Sequence, residues 1–151
     1  MNRQLLILGS SPRSGSSWLS RILNCSNDIY LYPEPDDKGG KCECELMLMN
    51  RTIPRQTMST KQQDLLIAGV AKIQQMDPTI FVSRFDRALF SFYLKKLVHK
   101  PHFVGFKTIY SPHRLGWIRK QLNYPKTIWL IRNPFAHCLS RLQLAKMVRS
   151  P

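Results

Sequence analysis

Between Gln4 and Asn24 the chain reads QLLILGSSPRSGSSWLSRILN: an apolar run, then small residues around one proline and one arginine, then a stretch of helical periodicity. The run from Gln4 to Leu8 ends at Gly9 and is continuously apolar, as a strand covered on both faces of a parallel sheet reads. Trp18, Leu19, Ile22 and Leu23 recur at helical spacing, and Ser16 or Ser17 is suited to cap the first turn. A strand, a turn of small residues and a helix start make an anion site. Unpaired N–H groups point outward there, and the helix dipole favours negative charge. Gly15 lets the backbone approach closely, and Ser14, Ser16 and Ser17 add hydroxyl donors. Arg13 supplies a permanent charge and a fork of donors suited to phosphate or sulfonate oxygens.

The alternation continues along the chain. Ile29 to Tyr32 reads as a second short strand closed by PEP, and Asp36 to Arg55, interrupted by Gly39, Gly40 and Pro54, reads as a polar excursion from the core. Lys61 to Met76 and Asp86 to Lys100 have helical spacing, with Leu65, Leu66, Val70 and Ile73 on one side of the first. HFVGFKT is a predicted strand, and SPHRLGWIRKQL a helix opened by Ser111 with Pro112 at its first position. KTIWLIR is another strand, followed by the helix NPFAHCLSRLQLAKMV, capped by Asn133. Strands alternating with helices predict an α/β fold with a central parallel sheet. No repeat or linker divides the chain, so one domain over residues 1–151 is expected.

Charge narrows the partners. The 151 residues carry 23 Lys and Arg against 9 Asp and Glu, a net charge of +14, which calls for an anionic partner. The basic residues are dispersed, with no zinc-finger spacing, no basic-aromatic strand signature and no block of five in a row, so a charged nucleotide or anionic acceptor fits at least as well as nucleic acid. No apolar stretch approaches the roughly 18 residues of a membrane span and no leader is recognisable, so a soluble cytoplasmic protein is expected. Cys25, Cys42, Cys44 and Cys138 form no Cys-x-x-Cys pair and read as reduced thiols, and no metal-ligand cluster is apparent.

The loop is close to, but not, the nucleoside-triphosphate loop. Gly9 and Gly15 are separated by five residues instead of four, and Ser16 stands where a phosphate-reaching lysine would follow, which weakens a kinase reading. SPRSGSSWL instead resembles the loop that sulfotransferases use for the 5'-phosphosulfate end of 3'-phosphoadenosine 5'-phosphosulfate (PAPS), in the Arg-Ser-Gly-Ser-Ser form of carbohydrate-type members. IWLIRNPFAHCLSR resembles the family's 3'-phosphate motif, an arginine at a strand end followed eight positions later by a serine; here these are Arg132 and Ser140. The spacing has its own physical sense, because Ser140 lies seven residues beyond Asn133, close to two helical turns, and so returns to the face from which Arg132 emerges. The resemblance implies a three-layer, P-loop-NTPase-like sulfotransferase fold. It also implies a PAPS site of Arg13, Ser14, Gly15, Ser16, Ser17, Trp18, Arg132 and Ser140.

Further residues follow from the same resemblance. Family members often use a lysine on the strand between the motifs to hold the sulfonate, and GFKT offers Lys107. Members that sulfate phenols and steroids follow Lys-Thr with a catalytic histidine, where this chain has Ile109. LYPEP resembles the Glu-Pro of carbohydrate and tyrosylprotein sulfotransferases, whose glutamate deprotonates the acceptor, which makes Glu34 the candidate base. Pro33 and Pro35 would hold that carboxylate rigidly near the carboxyl edge of the sheet. His113, at a helix start, is the substitute base, and structural roles are expected for His99, His102 and His137.

The implied activity is sulfonate transfer from PAPS to a hydroxyl or amine, with a carbohydrate or glycolipid acceptor favoured and adenosine 3',5'-bisphosphate as product. Arg13, Lys107 and the amides of Gly15, Ser16 and Ser17 would neutralise the transferring group, Arg13 by charge alone because a guanidinium does not release its proton. Family members need no metal. They continue past the second motif into a basic segment that closes over the adenosine, a portion this chain is expected to lack. A P-loop nucleotide kinase or NTPase would instead turn over ATP with magnesium. An inactive basic module would bind polyanions in a salt-sensitive way without regard to a 3'-phosphate.

Overall fold

The structure is a computed structural model and describes residues 3–36, 60–77, 80, 87–109 and 114–149. In chain order the elements are β1 (Gln4–Ser10), α1 (Ser16–Cys25), β2 (Ile29–Pro33), α2 (Thr60–Gln75), α3 (Arg87–His99), β3 (Phe103–Thr108), α4 (Leu115–Gln121), β4 (Lys126–Leu130) and α5 (Pro134–Arg149). The four strands form one sheet in the order β2-β3-β1-β4, and every pairing is parallel. The predicted α/β architecture is therefore the observed one.

Alternating side chains of the strands build two separate cores. Leu5 and Ile7 of β1, Tyr30 and Tyr32 of β2 and Val104 and Phe106 of β3 face one way, onto Leu66, Val70 and Ile73 of α2, Tyr93 of α3 and Ile118 of α4. Leu6, Leu8 and Leu31 face the other way, onto Leu19 and Leu23 of α1. Helices thus cover both faces, making three layers. The chain steps from β1 to β2 through α1 on one face, then back to β3 through α2 and α3, and on to β4 through α4, on the other. Opposite directions of travel on opposite faces are what a single crossover hand requires. The loops after β1 and β3, neighbouring strands, consequently leave to opposite faces, which opens a crevice at their carboxyl ends.

Backbone proximity fixes β3 against β1 at Gly105, which pairs with Leu6. A Cβ there would fall 1.6 Å from the Leu6 carbonyl oxygen, so no other residue fits without moving a strand.

Helix ends differ from expectation in two places. The cap of α1 is Gly15, in the left-handed region at φ 94°, and no side chain caps the helix. Neither Ser16, buried in the first turn, nor Ser17, whose hydroxyl is taken by Lys107, does so. The α4 helix begins at Leu115 with Arg114 at its cap, and Ser111 and Pro112 lie outside the described residues. Asn133 caps α5 as expected, its Oδ1 accepting from the amides of Phe135 (2.9 Å) and Ala136 (3.3 Å), with Pro134 in the first position. Asp36 does not belong to a polar excursion, since it is 1% exposed; residues 37–55 lie outside the described residues.

Candidate functional site

The β1–α1 loop occupies the crevice. Arg13 and Gly15 both have positive φ, at 65° and 94°, and this paired left-handed backbone turns the chain from strand into helix within five residues, Ser11 to Gly15. Beside Gly15 there is open space within 4 Å, and no acidic residue stands in the first turn of α1. The uncapped first amides of the helix are therefore open to an anion. Ser14 Oγ is buried without a hydrogen-bond partner among the described residues, as is Ser10 Oγ at the end of β1. Orphaned hydroxyls at this place fit an anionic group that they would contact. Trp18, 69% exposed on the first turn, leaves its indole face to solvent.

Lys107 joins this loop to the neighbouring strand. It lies near the end of β3, between Leu8 and Pro33 in the ladder, and is only 3% exposed. Its Nζ donates to Ser17 Oγ (2.8 Å) and forms an ion pair with Glu34 Oε1. The Glu34 amide donates to the Lys107 carbonyl (3.1 Å), extending the ladder one residue past β2, and a left-handed φ of 48° then turns Glu34 out of the strand. Glu34 is thus held to Lys107 through backbone and side chain together.

Beneath that turn lies a polar group that the sequence reading did not single out. Thr108 Oγ1 donates to Asp36 Oδ2, and both residues are buried, as is Arg114. Burial pulls the Arg114 guanidinium below its ordinary range, and the charge of Asp36 opposes that shift. The signal available in the sequence was an acid two residues after Glu34 and a threonine directly after Lys107. Neither is distinctive without the register that brings β2 beside β3.

The second motif closes the other side of the loop. Arg132, just past β4, donates from Nη1 to the Arg13 carbonyl (2.8 Å), and Arg13 Nε donates to Ser140 Oγ (3.2 Å). Along α5, Phe135, Leu139 and Leu142 are exposed while Ala136, His137 and Ser140 are partly covered, so the small and polar face turns inward. His137 Nε2 is buried without a partner among the described residues. Of the residues singled out from sequence, the structure brings Ser17, Lys107 and Glu34 together on one side of the loop, and Arg13, Arg132 and Ser140 on the other. His113 lies outside the described residues, as do Cys42 and Cys44. Cys25 and Cys138 are free and exposed. Among the described residues no three His, Cys, Asp or Glu side chains gather as a metal site would require, and no helix is long and apolar enough to cross a membrane.

A parallel three-layer fold with an uncapped, glycine-turned helix start at the crevice, flanked by a buried lysine and a strand-end arginine, is an arrangement suited to an anionic ligand at the carboxyl edge of the sheet. The sequence model of the sulfotransferase family matches residues 5–150, and the chain belongs to that family. Comparison with curated proteins and with solved structures gives no match.

Proposed function

We propose that this chain is a PAPS-dependent sulfotransferase acting on an acceptor hydroxyl, with a carbohydrate or glycolipid as the acceptor class and adenosine 3',5'-bisphosphate as the product. The observation that carries this reading is Lys107, whose ammonium meets both the anion loop, at Ser17, and the candidate base, Glu34. The donor supplies an activated sulfonate on a phosphate leaving group. Lys107 and the first amides of α1 hold the sulfonate oxygens and neutralise charge as the sulfur–oxygen bond to phosphate breaks. Glu34 keeps Oε1 on Lys107 and takes the acceptor's hydroxyl proton at Oε2, while the acceptor oxygen bonds to sulfur. Positioning does most of the work, since the ion pair fixes base and sulfonate within one side chain of each other. Support for the acceptor class comes from the Arg-Ser-Gly-Ser-Ser loop and the Glu-Pro dipeptide.

Titration calorimetry with adenosine 3',5'-bisphosphate, AMP and ATP with magnesium tests the reading. The bisphosphate is expected to bind best, and Arg132→Ala or Ser140→Ala to weaken it by about 10- to 100-fold, the worth of a hydrogen bond to a charged group. Equal binding of all three nucleotides would overturn it.

A further inference from the structure

The turn that carries Glu34 grips the end of β3 from both faces of the sheet. Successive side chains of a strand point to opposite faces. Phe106 enters the core shared with α4, Lys107 turns the other way to Ser17 of α1, and Thr108 turns back to the α4 side. Glu34 follows Lys107, through its carboxylate and through its amide, which donates to the Lys107 carbonyl. Two residues on, Asp36 takes the opposite face. Its Oδ2 accepts from Thr108 Oγ1, and its charge acts on Arg114, the residue at the cap of α4. Asp36 and Thr108 are each 1% exposed and Arg114 6%, so this second grip is closed to solvent.

What lies between the two grips needs holding. Glu34 has φ 48°, in the left-handed region, and it precedes Pro35, whose ring ordinarily drives the residue before it to extended backbone. Such a conformation persists only where its surroundings over-determine it. A buried hydrogen bond to a carboxylate is among the stronger ones a fold can use for that. The proposed transfer asks nothing of Asp36 directly, and a carboxylate so deeply buried is costly to desolvate, so its contribution is to geometry.

We propose that Asp36 is a positioning residue for the base: through Thr108 and Arg114 it fixes the left-handed turn, and so sets where Glu34 stands against Lys107 and where its second carboxylate oxygen faces the acceptor. The catalytic half of this statement rests on the PAPS-dependent reading above; the geometric half does not.

Two measurements on the full chain test the halves separately. Thr108→Val removes the donor in nearly the same shape and leaves Asp36 its Arg114, Thr108→Ser keeps the hydroxyl, and Asp36→Asn is made beside them. The first measurement is the Glu34–Lys107 coupling, from urea denaturation of Glu34→Gln, Lys107→Met and the double variant on each Thr108 background. The coupling is expected to fall to about half or less with Thr108→Val and to stay near its wild-type value with Thr108→Ser. Equal coupling with threonine and valine would overturn the proposal, because a bond that only stabilises the fold subtracts the same amount from every corner of the cycle. The second measurement is release of adenosine 3',5'-bisphosphate from PAPS with water as acceptor. Water's oxygen bonds to sulfur as the sulfur–oxygen bond to phosphate breaks, Glu34 takes the proton, and sulfate leaves with the bisphosphate. Thr108→Val and Asp36→Asn are expected to slow this about tenfold or more, with affinity for the bisphosphate changed less than about twofold. On a Glu34→Gln background the further slowing is expected to stay below about twofold, since both changes act on one group. Slowing that multiplies with that of Glu34→Gln, or Thr108→Ser slowed as much as Thr108→Val, would overturn the positioning role and leave the functional reading standing. A folded wild-type chain without PAPS turnover would overturn the catalytic half, and one without a 3'-phosphate preference the functional reading as well; the coupling decides the geometric half in either case.

Discussion

A lysine ammonium 3% exposed is tolerable only because Ser17 and Glu34 satisfy it, so Lys107 and Glu34 should be energetically coupled. Glu34 is 20% exposed, and water therefore screens part of the pair. Glu34→Gln is expected to destabilise the fold by about 1–3 kcal/mol, and by clearly less on a Lys107→Met background, where no charge is stranded. Urea denaturation of the four proteins of that cycle reads the coupling, and additive losses would show that the pair is not a unit. An activity loss in Glu34→Gln then counts towards a proton-accepting role only to the extent that the variant stays folded. Both residues were legible in the sequence through their motifs, but their contact was not. It depends on Pro33 lying beside Lys107 in the ladder and on the left-handed turn at Glu34, and neither is written in local composition.

Among the elements, β2 is the most exposed to alkaline pH. Tyr30 and Tyr32 project from the same face of the strand, their rings edge to face at 4.8 Å, and Tyr93 of α3 lies 6.0 Å from Tyr30 while its hydroxyl donates to the Met76 carbonyl. Burial, and then repulsion from neighbouring phenolates, raises the pKa of Tyr30 and Tyr32 above the ordinary 10.0, and burial raises that of Tyr93 as well. Above pH 10 the unfolded chain sheds phenolic protons that the folded chain keeps, so stability falls as pH rises, by up to about 1.4 kcal/mol per unit for each tyrosine. Burial of Lys96 works in the opposite direction. Its folded pKa lies below 10.5, so between the two values stability rises with pH. The expected result is an unfolding midpoint that drops steeply above about pH 10.5, and less steeply in Tyr30→Phe/Tyr32→Phe. The apolar periodicity of β1, α2 and β3 made those elements readable, because a buried face leaves a regular trace. The ends were less so: serines near a helix start suggested a side-chain cap, whereas Gly15 turned the chain by its backbone and left the hydroxyls for other work.

Across the whole molecule, a net charge of +14 should draw anionic ligands from a distance and make their capture sensitive to salt. Stopped-flow binding of adenosine 3',5'-bisphosphate is expected to slow several-fold as salt rises from 50 to 300 mM, and to slow more than that of AMP, which carries fewer charges. A rate indifferent to salt would mean that the excess charge lies away from the approach to the crevice. Parallel pairing was predictable from the alternation of strands and helices, but strand order was not, since the insertion of β3 between β1 and β2 is decided by long-range packing of both cores. That order has a metric consequence. Lys107 lies one residue before the end of the strand on one side of β1 and Arg132 follows the strand on the other, so the two cationic stations stand on strands two hydrogen-bonded spacings apart, about 9.5 Å. The sheet's own ladder is thus a gauge for the length of whatever lies across it. Side-chain changes can loosen its jaws, but only re-threading the strands could reset the gap.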